Sequence, residues 1–230
     1  SYKRNFSQRT QRQNTSHSIM KPTLIIATGP QGSGNHLFAK AFGATQDVKG
    51  WDSLKDKYWE GHDMEPFAQY WKDPSLLKNF DWTEAKHFYT SISCPYFDDG
   101  VETIPNYAMF HKHASKYARV KYLILGRDQT ILKHQQQRVR EKHTTPMFLD
   151  TMDFFDDKKV IYASQELLNL YGVRYLETLE DQLGIIGMDH DISLLNDILI
   201  KDANAKYINF VNHSPLDDTI KLASSKKGAV

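Results

Sequence analysis

The sequence predicts a single three-layer α/β domain: a mainly parallel sheet of four or five strands, helices on both faces, and a glycine-rich loop after the first strand. Three observations support this fold class. An apolar run of strand length at Thr23–Thr28 leads into a loop with three glycines and then into a helix-patterned segment. Further strand-like runs at His87–Ser93 and Val120–Gly126 alternate with helical segments. The length of 230 residues suits one substantial domain better than two.

The loop after the first strand contains Gly29, Gly32 and Gly34. Glycines let a backbone curl with its N–H groups pointing inward, and the helix that begins near Gly34 adds free N–H groups and the positive end of its dipole. The loop is therefore expected to bind a phosphate or sulfate. Its glycine spacing matches the start of a Walker A P-loop, but Asn35 and His36 stand where that pattern has Lys and Ser or Thr. Anion binding is thus favoured over ordinary ATP hydrolysis.

The strand at Val120–Gly126 ends directly before Arg127. Ligands of parallel sheets lie beyond the carboxyl ends of the strands, so Arg127 is expected to face the same crevice as the glycine loop and grip a phosphate. Asp128 is predicted to cap the next helix, at about residues 129–142. This helix carries four basic side chains, which form either a solvated face or a basic wall over an anionic ligand: Lys133, His134, Arg138 and Arg140.

The remaining elements follow from shorter patterns. Residues 43–85 hold all four tryptophans without a clear period, which predicts short helices and loops with a local aromatic core, or one or two tryptophans facing a substrate. A turn is expected at Asp98–Gly100 and a helix at Tyr107–Tyr117. A fourth strand is predicted at Val160–Ser164, and three further helices follow: one that stops at Gly172, one closed by Gly184, and one with Asp191 near its start.

The amino-acid composition indicates the general class of protein. Hydrophobic content is 40% and charged content 25%, both ordinary for a globular protein. No apolar run has transmembrane length and the first residues lack a signal-peptide core, so we expect a cytoplasmic protein without a membrane partner. The single cysteine, Cys94, excludes an internal disulfide and is expected to be a packed thiol. His111 and His113 are two residues apart, which does not favour a metal pair, and no metal is expected.

The ends of the chain are basic and its body is acidic. Residues 1–20 contain four cations and no acid, and the last twelve residues contain three lysines and no acid. Removing these seven cations from the net charge of +1 leaves −6 for residues 21–218. We expect a flexible basic arm at 1–20, a domain at 21–208 and a tail at 209–230. The arm either stays flexible or orders on a partner protein or neighbouring subunit; nucleic acid is not favoured because aromatic residues are not interleaved.

With these parts in place, the chain resembles the P-loop sulfotransferases over about residues 22–186. Three motifs carry the likeness: Ser33-Gly34-Asn35 in the loop, Arg127 after a strand, and the segments Tyr162–Leu167 and Tyr175–Ile185. The resemblance implies binding of the nucleotide PAPS or its product PAP and transfer of a sulfuryl group to a hydroxyl or amine. It implies these cofactor-binding residues: Gly29, Gly32, Ser33, Gly34, Asn35 and His36 at the 5′ anion, and Arg127 with Gln135 at the 3′ phosphate.

The chain departs from the family pattern at several positions. Gly32 stands where the loop has a cation, Gln135 where a serine assists the arginine, and Ser93 near the position of the substrate-activating histidine. A replacement base would be His36, His87 or His134, of which His36 is taken as the catalytic candidate. Members of the family also have a segment of basic residues and glycine near the end of the domain, and its only counterpart in this sequence is at residues 226–228.

These departures keep two alternatives open. One is a non-catalytic P-loop domain that serves as a structural or assembly subunit, for example of a viral particle assembled inside a cell, through its basic termini. The other is a P-loop kinase or NTPase, which would need magnesium.

Overall fold

The structure is a computed structural model and describes residues 21–185 and 187–202. The predicted arm at 1–20, the tail at 209–230 and the segment 226–228 lie outside the described residues. The strands and helices, in chain order, are β1 (Thr23–Pro30), α1 (Asn35–Gly43), β2 (Val48–Lys49), α2 (Ala68–Lys72), β3 (His87–Cys94), β4 (Tyr96–Asp98), β5 (Val101–Thr103), α3 (Tyr107–Ala114), β6 (Arg119–Gly126), α4 (Gln129–Arg140), α5 (Thr145–Leu149), β7 (Val160–Ser164), α6 (Gln165–Tyr171), α7 (Val173–Leu183) and α8 (Ile192–Lys201).

The main sheet confirms the predicted fold class. Its five strands are all parallel and lie in the order β2-β3-β1-β6-β7. Strand β1 is central, and all eight of its residues are buried because both of its faces are covered. This explains why β1 reads as a continuous apolar run rather than an alternating one. The predicted turn at Asp98–Gly100 joins β4 to β5 in a small antiparallel hairpin outside the main sheet.

Helices cover both faces of the sheet and form two separate cores. On one face, α1, α7 and α8 pack on β1 side chains such as Ile25 and Ala27. On the other face, α2, α3 and α5 pack on the alternate side chains, such as Leu24 and Ile26. This is the three-layer arrangement that the sequence predicts, and it leaves the carboxyl ends of β1, β3 and β6 together at one edge.

Several local predictions are confirmed by contacts. The Asp128 carboxylate accepts a hydrogen bond from the Ile131 amide at 2.9 Å and caps α4, and Asp191 caps α8 in the same way. Cys94 is a buried free thiol. Helix α4 ends at Arg140 rather than Lys142 because Glu141 turns into the left-handed region at φ 58°. Helix α3 ends at Ala114, three residues before the predicted end.

Residues 43–85 form short helical turns and loops, as expected, together with the two-residue strand β2, which was not predicted. Two tryptophans of this region, Trp51 and Trp71, are buried in the cores, whereas Trp59 is 66% exposed. Within the described ranges, no helix combines the length and apolarity that crossing a membrane requires.

Candidate functional site

The glycine loop connects the carboxyl end of the central strand β1 to the start of α1. Gly32 and Gly34 have φ values of 88° and 108°, a backbone region that residues with a Cβ rarely adopt. Gly34 is the N-cap residue of α1, and in the described chain no side chain caps this helix. The first-turn N–H groups of α1 are therefore left for another hydrogen-bond acceptor. An anion in the loop would satisfy them.

Gly29 and Ser33 meet at the base of the loop. A Cβ on Gly29 would lie 2.4 Å from the Leu125 carbonyl oxygen and 2.7 Å from Ser33 Oγ, so only glycine fits between β1 and β6 at this point. The Ser33 side chain is completely buried, and its hydroxyl has no hydrogen-bond partner among the described residues. A buried hydroxyl without a partner is costly in a protein interior. The loop thus holds a polar atom that no group within residues 21–185 and 187–202 satisfies.

A buried glutamine on α4 holds the middle of the loop in place. Gln136 donates to the Gln31 carbonyl oxygen at 2.8 Å, and its own carbonyl accepts from the Thr144 amide at 2.9 Å. The Thr144 hydroxyl completes the link with a 3.1 Å contact to the Gln31 side chain. These contacts tie the loop to the segment after α4. Sequence analysis missed this role because Gln136 lies in a run of three glutamines with no distinguishing motif.

Arg127 and Gln135 both contact the loop, but Arg127 does not line the crevice in front of the loop, where sequence analysis expected it. The Arg127 guanidinium is buried, donates to the Gly32 carbonyl oxygen at 3.3 Å, and also donates to the Gln135 side-chain carbonyl. Its Nε lies 4.0 Å from a carboxylate oxygen of Glu166. Arg127 lines a shallow cleft beside Glu166 and Tyr162, whereas Gln135 lines the larger cavity in front of the loop.

Asn35 and Ser93 link the loop to the carboxyl end of β3. The Asn35 side-chain amide donates to Ser93 Oγ at 2.9 Å, and its carbonyl accepts from Ser91 Oγ at 3.0 Å. Both polar ends of Asn35 are thus committed to positioning the start of α1. Ser93 stands near the position where the resemblance places a histidine, and its hydroxyl cannot serve as a base at neutral pH. A candidate base must therefore come from elsewhere.

A cavity of about 800 Å³ opens in front of the loop. Its walls are α1, the segment 55–59, the last turn of α4 and α8. Six cationic side chains and three carboxylates line it: Lys40, Lys55, Lys57, Arg138, Arg140 and Lys201, with Asp56, Asp197 and Asp202. Lys55 and Lys57 are paired with Asp52 and Glu60 outside the lining, and Lys201 is paired with Asp197 within it. The smaller excess of positive charge that remains favours an anionic ligand. Of the predicted basic wall of α4, Arg138 and Arg140 line the cavity, whereas Lys133 and His134 do not.

His36 lines this cavity and is held at one ring nitrogen. Its Nε2 lies 2.8 Å from the Glu60 carbonyl oxygen. Because a carbonyl oxygen only accepts, the proton of the neutral ring is on Nε2, and Nδ1 keeps the lone pair that a base needs. Burial lowers the pKa of His36 below its usual value of 6.5, so the ring is neutral at pH 7. The other two candidate bases lie outside the cavity lining. His87 is at the amino end of β3, away from the carboxyl ends of the strands, and His134 is exposed.

Glu60 organises the segment that covers His36. Its carboxylate accepts hydrogen bonds from Trp51 Nε1 at 2.7 Å and from the Ser53 hydroxyl at 2.5 Å, and it forms an ion pair with Lys57. Next to this anchor, Trp59 lies on the cavity wall with its ring stacked on His36 at a centroid distance of 6.1 Å. Trp59 is therefore the tryptophan whose position fits a ligand-facing role.

Comparisons with known proteins add no assignment to this geometry: the chain matches no protein-family model, and no curated protein matches it significantly. Among the described residues, no group of three or more His, Cys, Asp or Glu side chains is arranged to hold a metal ion. The functional argument therefore depends on the loop and the cavity themselves.

Proposed function

We propose that this chain is a sulfotransferase-like P-loop protein that binds a 3′-phosphoadenosine-type nucleotide, PAPS or PAP, with the 5′ anion in the glycine loop. The observation that carries the proposal is the uncapped start of α1 beside the unpartnered Ser33 hydroxyl. Both are hydrogen-bond donors, and they come from neighbouring residues at the end of the loop. The cationic excess of the adjoining cavity supports the same class of ligand.

The residues around the loop divide into those that would touch the nucleotide and those that position the loop. The backbone of Gly32, Ser33 and Gly34 would hold the 5′ anion, with Asn35 and Gly29 fixing the loop's shape. Arg127 acts through the loop by holding the Gly32 carbonyl, and Gln135 and Arg138 present polar atoms to the cavity. A second phosphate of the nucleotide would lie on this side. The loop lacks a side-chain cation at Gly32, and the cations of the cavity wall compensate for part of that charge.

Transfer chemistry would use His36 as the base. Bound PAPS supplies a sulfuryl group on a phosphate leaving group. An oxygen or nitrogen of the acceptor forms a bond to sulfur, the bond from sulfur to the phosphate oxygen breaks, and the acceptor proton passes to His36 Nδ1. The neutral state of His36 at pH 7 suits this role. The N–H groups of the loop would stabilise the charge that develops on the leaving group.

The first test is a thermal-shift titration with 3′,5′-ADP, with ATP and magnesium, and with sulfate. Ligand at about a hundred times its dissociation constant adds about 2.7 kcal/mol to the free energy of unfolding. We expect 3′,5′-ADP to stabilise the protein at lower concentrations than the other two ligands. Arg138→Ala should weaken this binding about tenfold through loss of a charge-assisted contact, whereas Lys133→Ala, on the same helix but outside the cavity lining, should not.

Two outcomes would overturn the proposal. No shift with any of the three ligands would leave a P-loop fold without its nucleotide and favour an assembly subunit that acts through its termini. Selective stabilisation by ATP that disappears on magnesium chelation would identify a kinase or NTPase instead. If binding is established, His36→Gln tests the chemistry: we expect loss of sulfuryl transfer with retained 3′,5′-ADP binding.

A further inference from the structure

Gln165 has a buried side chain whose polar atoms have no hydrogen-bond partner in the part of the chain that the structure describes. It is the first residue of α6, directly after the edge strand β7, and only 1% of its surface is exposed. Neither its side-chain nitrogen nor its side-chain oxygen has a hydrogen-bond partner within residues 21–185 and 187–202. Burying a carboxamide without partners costs free energy, whereas an apolar side chain of similar shape would fill the same space without that cost.

The start of α6 does not need this carboxamide. Ser164 is the N-cap residue of α6, and its hydroxyl accepts a hydrogen bond from the Leu167 amide. The Ser164 hydroxyl also donates to the Glu166 carboxylate at 2.9 Å. The local hydrogen-bonding tasks of this turn are thus performed by the two neighbours of Gln165. A role in capping its own helix does not account for it.

The side chain instead packs against the glycine loop. A Cβ built on Gly34 would lie 3.3 Å from Gln165 Oε1 and 3.4 Å from its Cδ, so the carboxamide lies against the residue at which α1 begins. Ser33, the neighbour of Gly34, also carries a buried polar atom without a partner among the described residues. Two polar side chains without partners among the described residues therefore lie beside the loop, Ser33 at its base against Gly29 and Gln165 against Gly34, where α1 begins without a side-chain cap.

We propose that Gln165 is a ligand-contacting residue of the glycine loop, whose side-chain N–H donates to an oxygen of the bound anion. This inference rests on the proposed function and adds to it a contact from β7 and α6. Gln165 and Ser33 would provide neutral donors at a loop that lacks a side-chain cation at Gly32. The chain would thus hold the anion with neutral hydrogen bonds in place of an ion pair.

This role is tested by comparing how substitutions of Gln165 change the stability of the ligand-free protein with how they change nucleotide binding. Gln165→Met keeps the approximate shape and removes the unpartnered polar atoms, so the melting temperature of the ligand-free protein should stay constant or rise. Its affinity for 3′,5′-ADP, measured by isothermal titration calorimetry, should fall about tenfold, the loss expected for one hydrogen bond to a charged group. Gln165→Glu should weaken binding further by adding a like charge. Gln182→Met, the same change at an exposed position of α7, should alter neither quantity.

The outcomes separate this inference from the proposed function. If the wild-type protein binds 3′,5′-ADP and Gln165→Met binds it equally well, Gln165 is not a ligand contact, although the loop is a nucleotide site. If Gln165→Met lowers the melting temperature of the ligand-free protein, the side chain has a structural role and the inference is wrong. Gln165→Asn, which keeps the amide on a shorter side chain, should then retain more stability than Gln165→Met. If the wild-type protein binds neither 3′,5′-ADP nor sulfate, both proposals are wrong.

Discussion

Replacing Gln136 by alanine should loosen the glycine loop without removing any side chain that lines the cavity. Gln136 is 2% exposed and links the Gln31 carbonyl, on one side, to the backbone amides of Thr144 and Thr145, on the other. Alanine cannot replace any of these contacts. The perturbation thus isolates the support of the loop from the ligand contacts themselves.

The expected loss of stability follows from the two buried backbone groups that would lose their hydrogen-bond partners. The two shortest bonds, at 2.8 Å to Gln31 and 2.9 Å from Thr144, would each leave a buried backbone group without a partner. Such a group costs about 1–3 kcal/mol, so the two together lower the free energy of unfolding by about 2–6 kcal/mol. The longer contacts at 3.3 Å from Thr145 add little. Affinity for 3′,5′-ADP should fall as well, because the loop would have to be ordered on binding.

Urea unfolding measures this loss from the shift in the denaturation midpoint at constant slope. The matched control is Gln137→Ala, which makes the same substitution on the exposed face of α4 and should change stability by less than about 0.5 kcal/mol. A loss below about 1 kcal/mol for Gln136→Ala, or a loss equal to that of the control, would refute the role assigned to this side chain.

Two further predictions concern the packing of the loop and a buried carboxyl. Gly29→Ala should lower stability by about 2 kcal/mol because its Cβ would lie 2.4 Å from the Leu125 carbonyl oxygen. The control is Gly126→Ala, whose Cβ would lie 3.7 Å from its nearest neighbour and which should melt near the wild-type temperature. Equal melting temperatures of the two variants would contradict the steric role assigned to Gly29. Burial raises the pKa of Glu65 to about 8 from 4.5. The folded protein therefore keeps a proton that the unfolded chain releases, and this contribution to stability is lost as pH rises from 4.5 to 8. The stability of the wild type relative to Glu65→Gln should fall across that interval in thermal melts; a constant difference would show that the pKa of Glu65 is not raised in the fold.

The parts of the fold that sequence predicts well are those set by neighbouring residues. The apolar run of β1, the glycines of the loop and the caps at Asp128 and Asp191 each act within a few positions of themselves. Strand β2 has only two residues, so it has no period to detect, and its place at the sheet edge is set by its pairing with β3. Its formation depends on tertiary contact rather than on local pattern.

Residues of the candidate site that directly follow a strand could be placed from the sequence. Contacts between residues far apart in the chain could not. The position of Arg127 at the end of β6 follows from parallel-sheet geometry, but its engagement by Gln135 depends on the side chains of the following helix. Gln136 contacts a residue 105 positions earlier, and no spacing rule connects the two. Gln165 is distinguished by its burial without a hydrogen-bond partner among the described residues, a property that has no signature in the sequence.

The central position of β1 also has a consequence for synthesis of the chain. Thr23 of β1 pairs with His87 of β3 and with Arg119 of β6, so both neighbours of the first strand are made long after it. At about 5 to 20 residues per second, the ribosome needs about 5 to 20 s to extend the chain from β1 to β6. Until β3 is made neither edge of β1 is covered, and until β6 is made one edge stays open. Nascent chains that end before β6 would therefore expose a chaperone-binding and aggregation-prone segment, and the glycine loop would become ordered only late in translation.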